Sequence, residues 1–428
     1  MKRPPARGTA VAAGAGDGGT APPRLRGRGA PPGPPAVSRP DDIRRHNLGR
    51  VLLEVHRDGP LSRAELTQRL AMSRSTIGAL VTDLCELGLL EESVPVGRDR
   101  AGRPSHVVGP RPDGPYAVAV DLEVDRLTIA AVTVGGELAV RRVHLLDPAD
   151  RSAEAVAAAV ARAVHDVVRG APGSSRPIGV GVSVPGTVLA ADGFVEAAPN
   201  LGWRHEPVGA MLRHELPELP IALANDADMG VLSEHLRGAA RDATDAVYLT
   251  GKVGVGAGIL VGGQRLRGAG GLGGEIGHTV LDPQGRQCHC GGRGCVEGMI
   301  GEEALLRLSG RSGPPDPTAV ASVLADAQAG DPAARAGVGQ VARALGQVLA
   351  NLVNLLNPQV IVLGGALADV FACARSDVIT ELDGQAMSAA RGMVEVRVSA
   401  LGADSSLLGA AELAFQSLLA DPLAAATP

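Results

Sequence analysis

Three cysteines within eight positions, Cys288, Cys290 and Cys295, constrain this chain more than any other feature. Thiols that close together in one loop suit a metal ion better than a disulfide framework. Gly291, Gly292 and Gly294 let the loop turn tightly between them. His278, ten residues before Cys288, can complete a Cys3His tetrahedron, the closed coordination of a structural Zn2+ ion. Four protein ligands leave no position open for catalysis, so the ion is expected to fix the loop that carries His278 and Glu297. His289 lies between two ligands with no clear role from its spacing, and Cys85 and Cys373 read as buried apolar fillers.

Around that loop, residues 115–420 alternate strand and helix patterns. Strands are expected at 116–121, 127–134, 177–186, 220–226, 245–251, 360–365 and 394–400, with helical patterns between them, such as 153–170. Alternation of this kind means an α/β architecture. Strand ends near 121 and 251 resemble phosphate loops and suggest two similar halves, about 115–240 and 241–420, with a cleft between them.

Residues 41–109 form a separate pattern. Leu48, Val51, Leu52 and Val55 keep helical spacing until Gly59-Pro60 ends the run. Ser62 and Glu65 make a capping box for a short second helix. Ser73 caps a third, with Ile77, Leu80, Val81 and Leu84 as its apolar stripe and Gly88 at its C′ position. Three helices with a tight turn between the last two predict a helix-turn-helix. The third helix leaves Arg74, Ser75, Thr76, Ala79 and Thr82 off its stripe, small or hydrogen-bonding groups suited to a major groove. Two short strands then enclose a basic tip, where Arg98, Arg100 and Arg103 can reach phosphates or the minor groove. An ordinary three-helix bundle with a solvated loop is the alternative. Residues 1–40, rich in Pro, Gly, Ala and Arg, read as a disordered tail or a basic arm.

The formal net charge of −5 excludes a wholly basic nucleic-acid binder, so DNA contact must come from a local patch. Aromatics at 1% exclude stacking platforms for single strands. No long uncharged apolar run and no signal-peptide pattern occurs, which points to the cytoplasm and away from membranes.

The segments "GLGGEIGH" (271–278) and "CHCGGRGCVE" (288–297) resemble, in order and spacing, the two signatures of the ROK (repressor, ORF, kinase) family. The N-terminal part resembles the winged helix-turn-helix of ROK regulators, through Arg44 and Asn47, "PLSRAEL" and "GRPS" (102–105). The resemblance runs from about residue 44 to 420 and implies a duplicated actin-like, ribonuclease-H-like fold with a sugar in its cleft. It places sugar contacts on Asn225, Asp226, Glu275, His278 and Glu297, with Gly186 and Asn200 close by. Carboxylates and an amide suit paired sugar hydroxyls, and His278 would offer one ring nitrogen to zinc and the other to the ligand. Each residue also has a plainer reading: Asn225-Asp226 could simply cap the next helix, and Glu275 could be a solvated charge.

Kinases of the family open this domain with Asp-x-Gly-x-Thr. Here Asp121 remains, but Glu123 stands at the Gly position and Asp125 at the Thr position. A side chain at the Gly position blocks close approach of phosphate, and a like-charge pair at ~4 Å costs about 4 kcal/mol at an effective dielectric of ~20. The second glycine-rich segment, 250–258, keeps its glycines, and Asp226 matches the family's catalytic base. The resemblance therefore implies a sensor: a homodimer or homotetramer that binds palindromic double-stranded operator DNA and responds to a sugar effector. An ATP-dependent sugar kinase with a fused DNA-binding domain, and a regulator controlled by a transport-protein partner, are the alternatives.

Overall fold

The computed structural model describes residues 40–93, 106–171, 176–189, 192–313 and 317–426. The expected tail and the basic tip with Arg98, Arg100 and Arg103 lie outside the described residues.

The N-terminal unit is a winged helix-turn-helix. Helices α1 (Pro40–Asp58), α2 (Arg63–Leu70) and α3 (Arg74–Glu86) pack with a three-stranded sheet of β1 (Leu61–Ser62), β2 (Leu90–Ser93) and β3 (Val107–Pro110), in the order β1-β3-β2. The local signals act as the sequence predicts. The Ser62 hydroxyl accepts from Glu65 N at 3.2 Å while Ser62 N donates to the Glu65 carboxylate at 2.7 Å, a complete capping box. At the far end of α3, Gly88 takes φ +71°, Gly88 N donates to Cys85 O and Leu89 N to Leu84 O, both at 3.0 Å. That pair of bonds is a Schellman stop, which a residue with a β-carbon adopts at a cost. Arg44, in the stretch that carries the family resemblance, ties α1 to α3 through Asp83 at 2.7 Å.

The rest of the chain holds two five-stranded sheets of identical topology. The first contains β4 (Tyr116–Leu122), β5 (Arg126–Thr133), β6 (Leu138–Leu145), β7 (Pro177–Val184) and β11 (Ile221–Asn225), in the order β11-β7-β4-β5-β6. A small antiparallel sheet of β8 (Thr187–Leu189), β9 (Phe194–Ala198) and β10 (Trp203–Glu206) is inserted after β7, and helices α4 (Ala153–Gly170) and α5 (Val208–Glu215) cover one face. After helix α6 (Asp226–Arg237) come β12 (Ala246–Gly251), β13 (Val255–Val261), β14 (Gln264–Arg265), β15 (Val360–Gly365) and β16 (Glu395–Val398), ordered β14-β13-β12-β15-β16. In each sheet the first strand is central, with an antiparallel hairpin on one side and two parallel strands on the other. This is the duplicated actin-like, ribonuclease-H-like arrangement. Helices α7 (Glu297–Ile300), α8 (Glu302–Leu308), α9 (Pro317–Ala329), α10 (Pro332–Leu356), α11 (Ala366–Cys373), α12 (Arg375–Gln385) and α13 (Ser388–Arg391) cover the second lobe. Cys85 and Cys373 are half-buried rather than fully buried, each packed against a hydrophobic core.

Two departures from the sequence reading matter for function. The glycine-rich segment 250–258 is mostly strand, forming the ends and turn of the hairpin β12–β13, and Gly258 also makes room for α6, a β-carbon falling 2.3 Å from Ala227 O. The last long helix, α14 (Ser405–Ala420), followed by the short α15 (Pro422–Ala426), does not stay with the second half in which its position places it. It returns to the first sheet, against Ala117 and Ala119 of β4 and Ala130 and Val132 of β5, the small-residue face of those strands. Meanwhile α6 packs on the second sheet, against Tyr248, Leu260 and Val362. The lobes thus exchange helices, and α6 and α14 meet between them so closely that a β-carbon on Gly409 would fall 1.9 Å from Met229 O.

Candidate functional site

Helix α3 exposes Arg74, Ser75, Thr76, Ala79 and Thr82 together while Ile77, Leu80, Val81 and Leu84 are buried. The face is preformed: Ser73 Oγ bonds Ser75 Oγ at 2.9 Å and Thr76 Oγ1 at 2.8 Å, and Thr82 Oγ1 donates back to Gly78 O at 3.0 Å. Neighbouring arginines are engaged with acids, Arg63 with Glu92 and Arg69 with Glu54 and Asp58.

In the second lobe, the loop after the 3-10 turn Ile276–His278 brings the four expected ligands to one point. His278 Nδ1 lies 3.8 Å from Cys288 Sγ, Cys290 Sγ lies 3.7 Å from Cys295 Sγ, and the four donor atoms are all within 4.8 Å of one another. A tetrahedral ion with bonds of ~2.3 Å to sulfur and ~2.0 Å to nitrogen separates its ligands by about 3.5–3.8 Å. The donor set therefore fits a metal of that kind. His289, without a role in the sequence reading, places Nδ1 3.2 Å from Glu297 Oε1, and its ring meets that of His278 edge-on at 5.4 Å. Glu297 also accepts from Val255 N at 3.1 Å. The cysteine loop, Glu297 and strand β13 are thus one connected unit.

Between the lobes lies a cleft lined by Thr187, Val188, Asn225, Asp228, Gly256, Ala257, Gly271, Gly273, Gly274 and Glu275. Asn225 and Glu275 are there as expected. Glu275 reaches across from the second lobe to accept from Thr187 Oγ1 of the first at 3.2 Å. Asn225 does what its plainer reading foresaw: Oδ1 accepts from Ala227 N at 2.9 Å and Asp228 N at 3.4 Å, capping α6. Its Nδ2 donates to Gly186 O at 2.8 Å, which leaves one N–H for a ligand. Gly186 is therefore tied to the cleft through its carbonyl. Asn200 is not part of this group; it stands exposed in the 3-10 turn Pro199–Leu201.

Asp228 is the cleft residue that the sequence reading missed. Burial raises its carboxyl to about 6 even though Arg265 pairs with it at 3.1 Å. Two positions from Asp226 on a helix, it projects to a different side of α6, so no i, i+3 or i, i+4 pattern signals it. Asp226 is not among the residues lining the cleft; it faces the charge cluster around Lys252. Burial raises its carboxyl too, and Lys252 opposes the shift. Lys252 Nζ stands 3.9 Å from both Asp121 and Glu123. Burial disfavours the charge of Lys252, but Asp121, Asp226 and Glu123 outweigh it and hold the ammonium above the ordinary lysine range. Glu123 and Asp125 do not stand as two free carboxylates, since Arg126 pairs with them at 2.5 and 3.2 Å.

The ROK family profile matches residues 117–417, and the MarR family profile matches residues 49–100. Over 380 residues the chain is 25% identical to the xylose repressor of Bacillus subtilis strain 168, a match spanning 88% of this chain and 97% of that one. A solved ROK family transcriptional regulator, described as a homologue of the E. coli MLC protein, superposes with a TM-score of 0.72 at 26% identity, over 88% of this chain and 97% of its own. A ROK family glucokinase from Streptomyces griseus, in complex with glucose and AMPPNP, superposes at 0.61 with 26% identity, over 70% of this chain and 99% of its own.

Proposed function

This chain belongs to the ROK family, and from that premise we propose that it is a sugar-responsive, DNA-binding transcriptional repressor. One observation carries the reading: a winged helix-turn-helix with an exposed polar recognition face shares a continuous hydrophobic core with a two-lobed domain whose cleft is lined by Asn225, Asp228, Glu275 and Thr187. The likeness to a regulator over 88% of the chain, against 70% for a glucokinase, supports the same reading, because the additional length includes the DNA-binding unit.

In this reading Arg74, Ser75, Thr76, Ala79 and Thr82 enter the major groove, and Arg98, Arg100 and Arg103 supply phosphate contacts. A homodimer or homotetramer presents paired recognition helices to palindromic operator DNA in the cytoplasm. The sugar lies in the cleft against Asn225, Asp226, Asp228 and Glu275, with Gly186, His278 and Glu297 at its border. Zn2+ is held by His278, Cys288, Cys290 and Cys295. His278 Nδ1 faces the sulfurs, so Nε2 is the nitrogen left for the ligand side. Among the described residues no helix is long and apolar enough to cross a membrane.

The domain is read as a sensor rather than an enzyme. Glu123 occupies the position where phosphate needs bare backbone, and Lys252 is held among Asp121, Glu123 and Asp226 instead of standing free for phosphate. The test is fluorescence anisotropy on DNA from upstream of the chain's own gene, with and without a panel of sugars. One sugar is expected to shift operator affinity by about tenfold, within the range of ordinary allosteric coupling. Specific DNA binding that ignores every sugar would overturn the sensor reading, and sugar-dependent ADP release from ATP would restore the kinase.

A further inference from the structure

The end of α6 remote from the cleft enters a buried junction that none of the functions above uses. Arg237, its last residue, places Nε 2.5 Å from Glu412 Oε1 of α14 and NH1 2.6 Å from Gly135 O in the β5–β6 turn. The same NH1 donates to His56 O of α1 at 3.2 Å. His56 Nε2 lies 2.7 Å from Glu412 Oε2, and Gly135 N donates to His56 Nδ1 at 3.1 Å. Since Nδ1 accepts, Nε2 carries the proton and donates to the carboxylate, so Arg237 NH2, 2.7 Å from the same Nε2, packs against it without a hydrogen bond to it. His56 is 0% exposed and the Glu412 side chain 1%, while that of Arg237 is 11%. Burial works to raise the Glu412 carboxyl, and His56 and Arg237 together outweigh it and hold it below the ordinary range.

Four elements meet here: α1 of the DNA-binding unit, α6, α14 and the first sheet. The turn itself is shaped for Arg237, because a β-carbon on Gly136 would fall 2.3 Å from Arg237 Cζ. A second contact runs alongside. Arg57 NH2 donates to Arg241 O at 3.0 Å, Arg241 NH2 donates to Arg57 O at 3.3 Å, and Arg241 also pairs with Asp58. One turn before Arg237, the buried Glu234 accepts from Ala400 N at 3.3 Å, Leu401 N at 3.2 Å and Ser405 Oγ at 3.1 Å, gripping the entry to α14.

Helix α6 therefore has Asn225 and Asp228 of the cleft, with Asp226 between them, at its first turn and the DNA-binding unit at its last, 12 residues and about 18 Å apart. We propose that α6 is the rod that couples the cleft to the DNA-binding unit, with Arg237 as the positioning residue that transmits its movement to α1 through His56 and Glu412. This rests on the reading of the cleft as a sugar site. A sugar that draws Asp226 and Asp228 toward Glu275 moves one end of the rod. A buried, hydrogen-bonded joint passes that movement on, whereas a solvated contact would slip.

The experiment uses the full-length protein, its own upstream DNA and the responsive sugar. Sugar affinity is measured by calorimetry and operator affinity by anisotropy, for wild type, Arg237→Lys and the paired Arg237→Met/Glu412→Gln. Lysine keeps one cation for Glu412 but cannot serve His56 O and Gly135 O at once. The pair removes both buried charges together, so neither is stranded. Both variants are expected to bind sugar within about threefold of wild type, while the sugar's effect on operator affinity falls from about tenfold to below about twofold. A merely structural junction would lower the melting temperature and leave that ratio intact, and an unchanged ratio in Arg237→Lys overturns the proposal alone. If wild type binds no sugar by calorimetry, the cleft reading fails and the proposal fails with it.

Discussion

Asn225 is at once a helix cap and a cleft residue, so replacing it should disturb fold and ligand by separable amounts. In Asn225→Ala the two α6 amides lose their acceptor, which costs about 1 kcal/mol for an N-cap. The bond from Nδ2 to Gly186 O at 2.8 Å is lost as well, and a half-buried neutral hydrogen bond contributes about 1 kcal/mol. The sum is about 2 kcal/mol, equivalent to a melting shift of about 4–8 °C for a lobe of this size. The chain's single tryptophan, Trp203, is buried in the first lobe and reports that lobe's unfolding by fluorescence. Asn225→Asp keeps the acceptor and so should recover the cap while losing the Gly186 bond, leaving about half the cost. Sugar affinity should fall about fivefold in Asn225→Ala, for one remaining N–H. Glu275→Gln, at an exposed position, should weaken sugar binding with no change in melting temperature. If Asn225→Ala melts within about 1 °C of wild type, or Asn225→Asp is as costly as alanine, the capping argument is wrong.

Asp228 titrates at about 6, so sugar affinity should decline as pH falls from 7 to 5, and Asp228→Asn should flatten the profile; Asp121, also raised to about 6, makes that subtraction necessary. The sign for stability is the reverse: a carboxyl raised above its unfolded value of 3.8 favours folding below that value, and the contribution is lost as pH rises through about 6. Elemental analysis should find one zinc per chain, lost in Cys295→Ser, with weaker sugar binding because the Glu297 loop loosens. Arg74→Ala should lower operator affinity and reduce the slope of log K against log salt by about 1. Gly409→Ala, whose methyl would fall 1.9 Å from Met229 O, should destabilise the protein by about 1–3 kcal/mol in thermal unfolding.

Local chemistry was the legible part of this chain. Ser62, Glu65, Ser73 and Gly88 mark helix ends because capping is decided within a few residues. The strands with continuous apolar runs were legible for the same reason, and the Cys288–Cys295 loop because ligand spacing is itself the signal. Strand β6 was not legible: it is a sheet edge, and its Leu145 is 82% exposed beside Arg141 and Arg142, so no buried periodicity marks it. Strand β13 hid behind its glycines, which resemble a phosphate loop and also make room for α6. Asp228 and Arg237 act through partners 37 and 175 residues away, which no local pattern encodes, and His289 shows its contact with Glu297 only once the loop is folded.

The return of α14 turns these separate observations into one constraint. Because α14 lies on the first sheet and α6 on the second, any change in the angle between the lobes must slide one helix along the other at the Gly409–Met229 contact. Helix α1 is packed against α14 just as tightly, a β-carbon on Gly49 falling 2.4 Å from Leu419 O. Interiors packed this densely shift between discrete arrangements rather than deforming smoothly. The lobe angle and the placement of α1 are therefore not independent variables. A ligand that bridges Asn225 and Asp228 on one side to Glu275 on the other acts on the first, and through the α6–α14 pair it acts on the second.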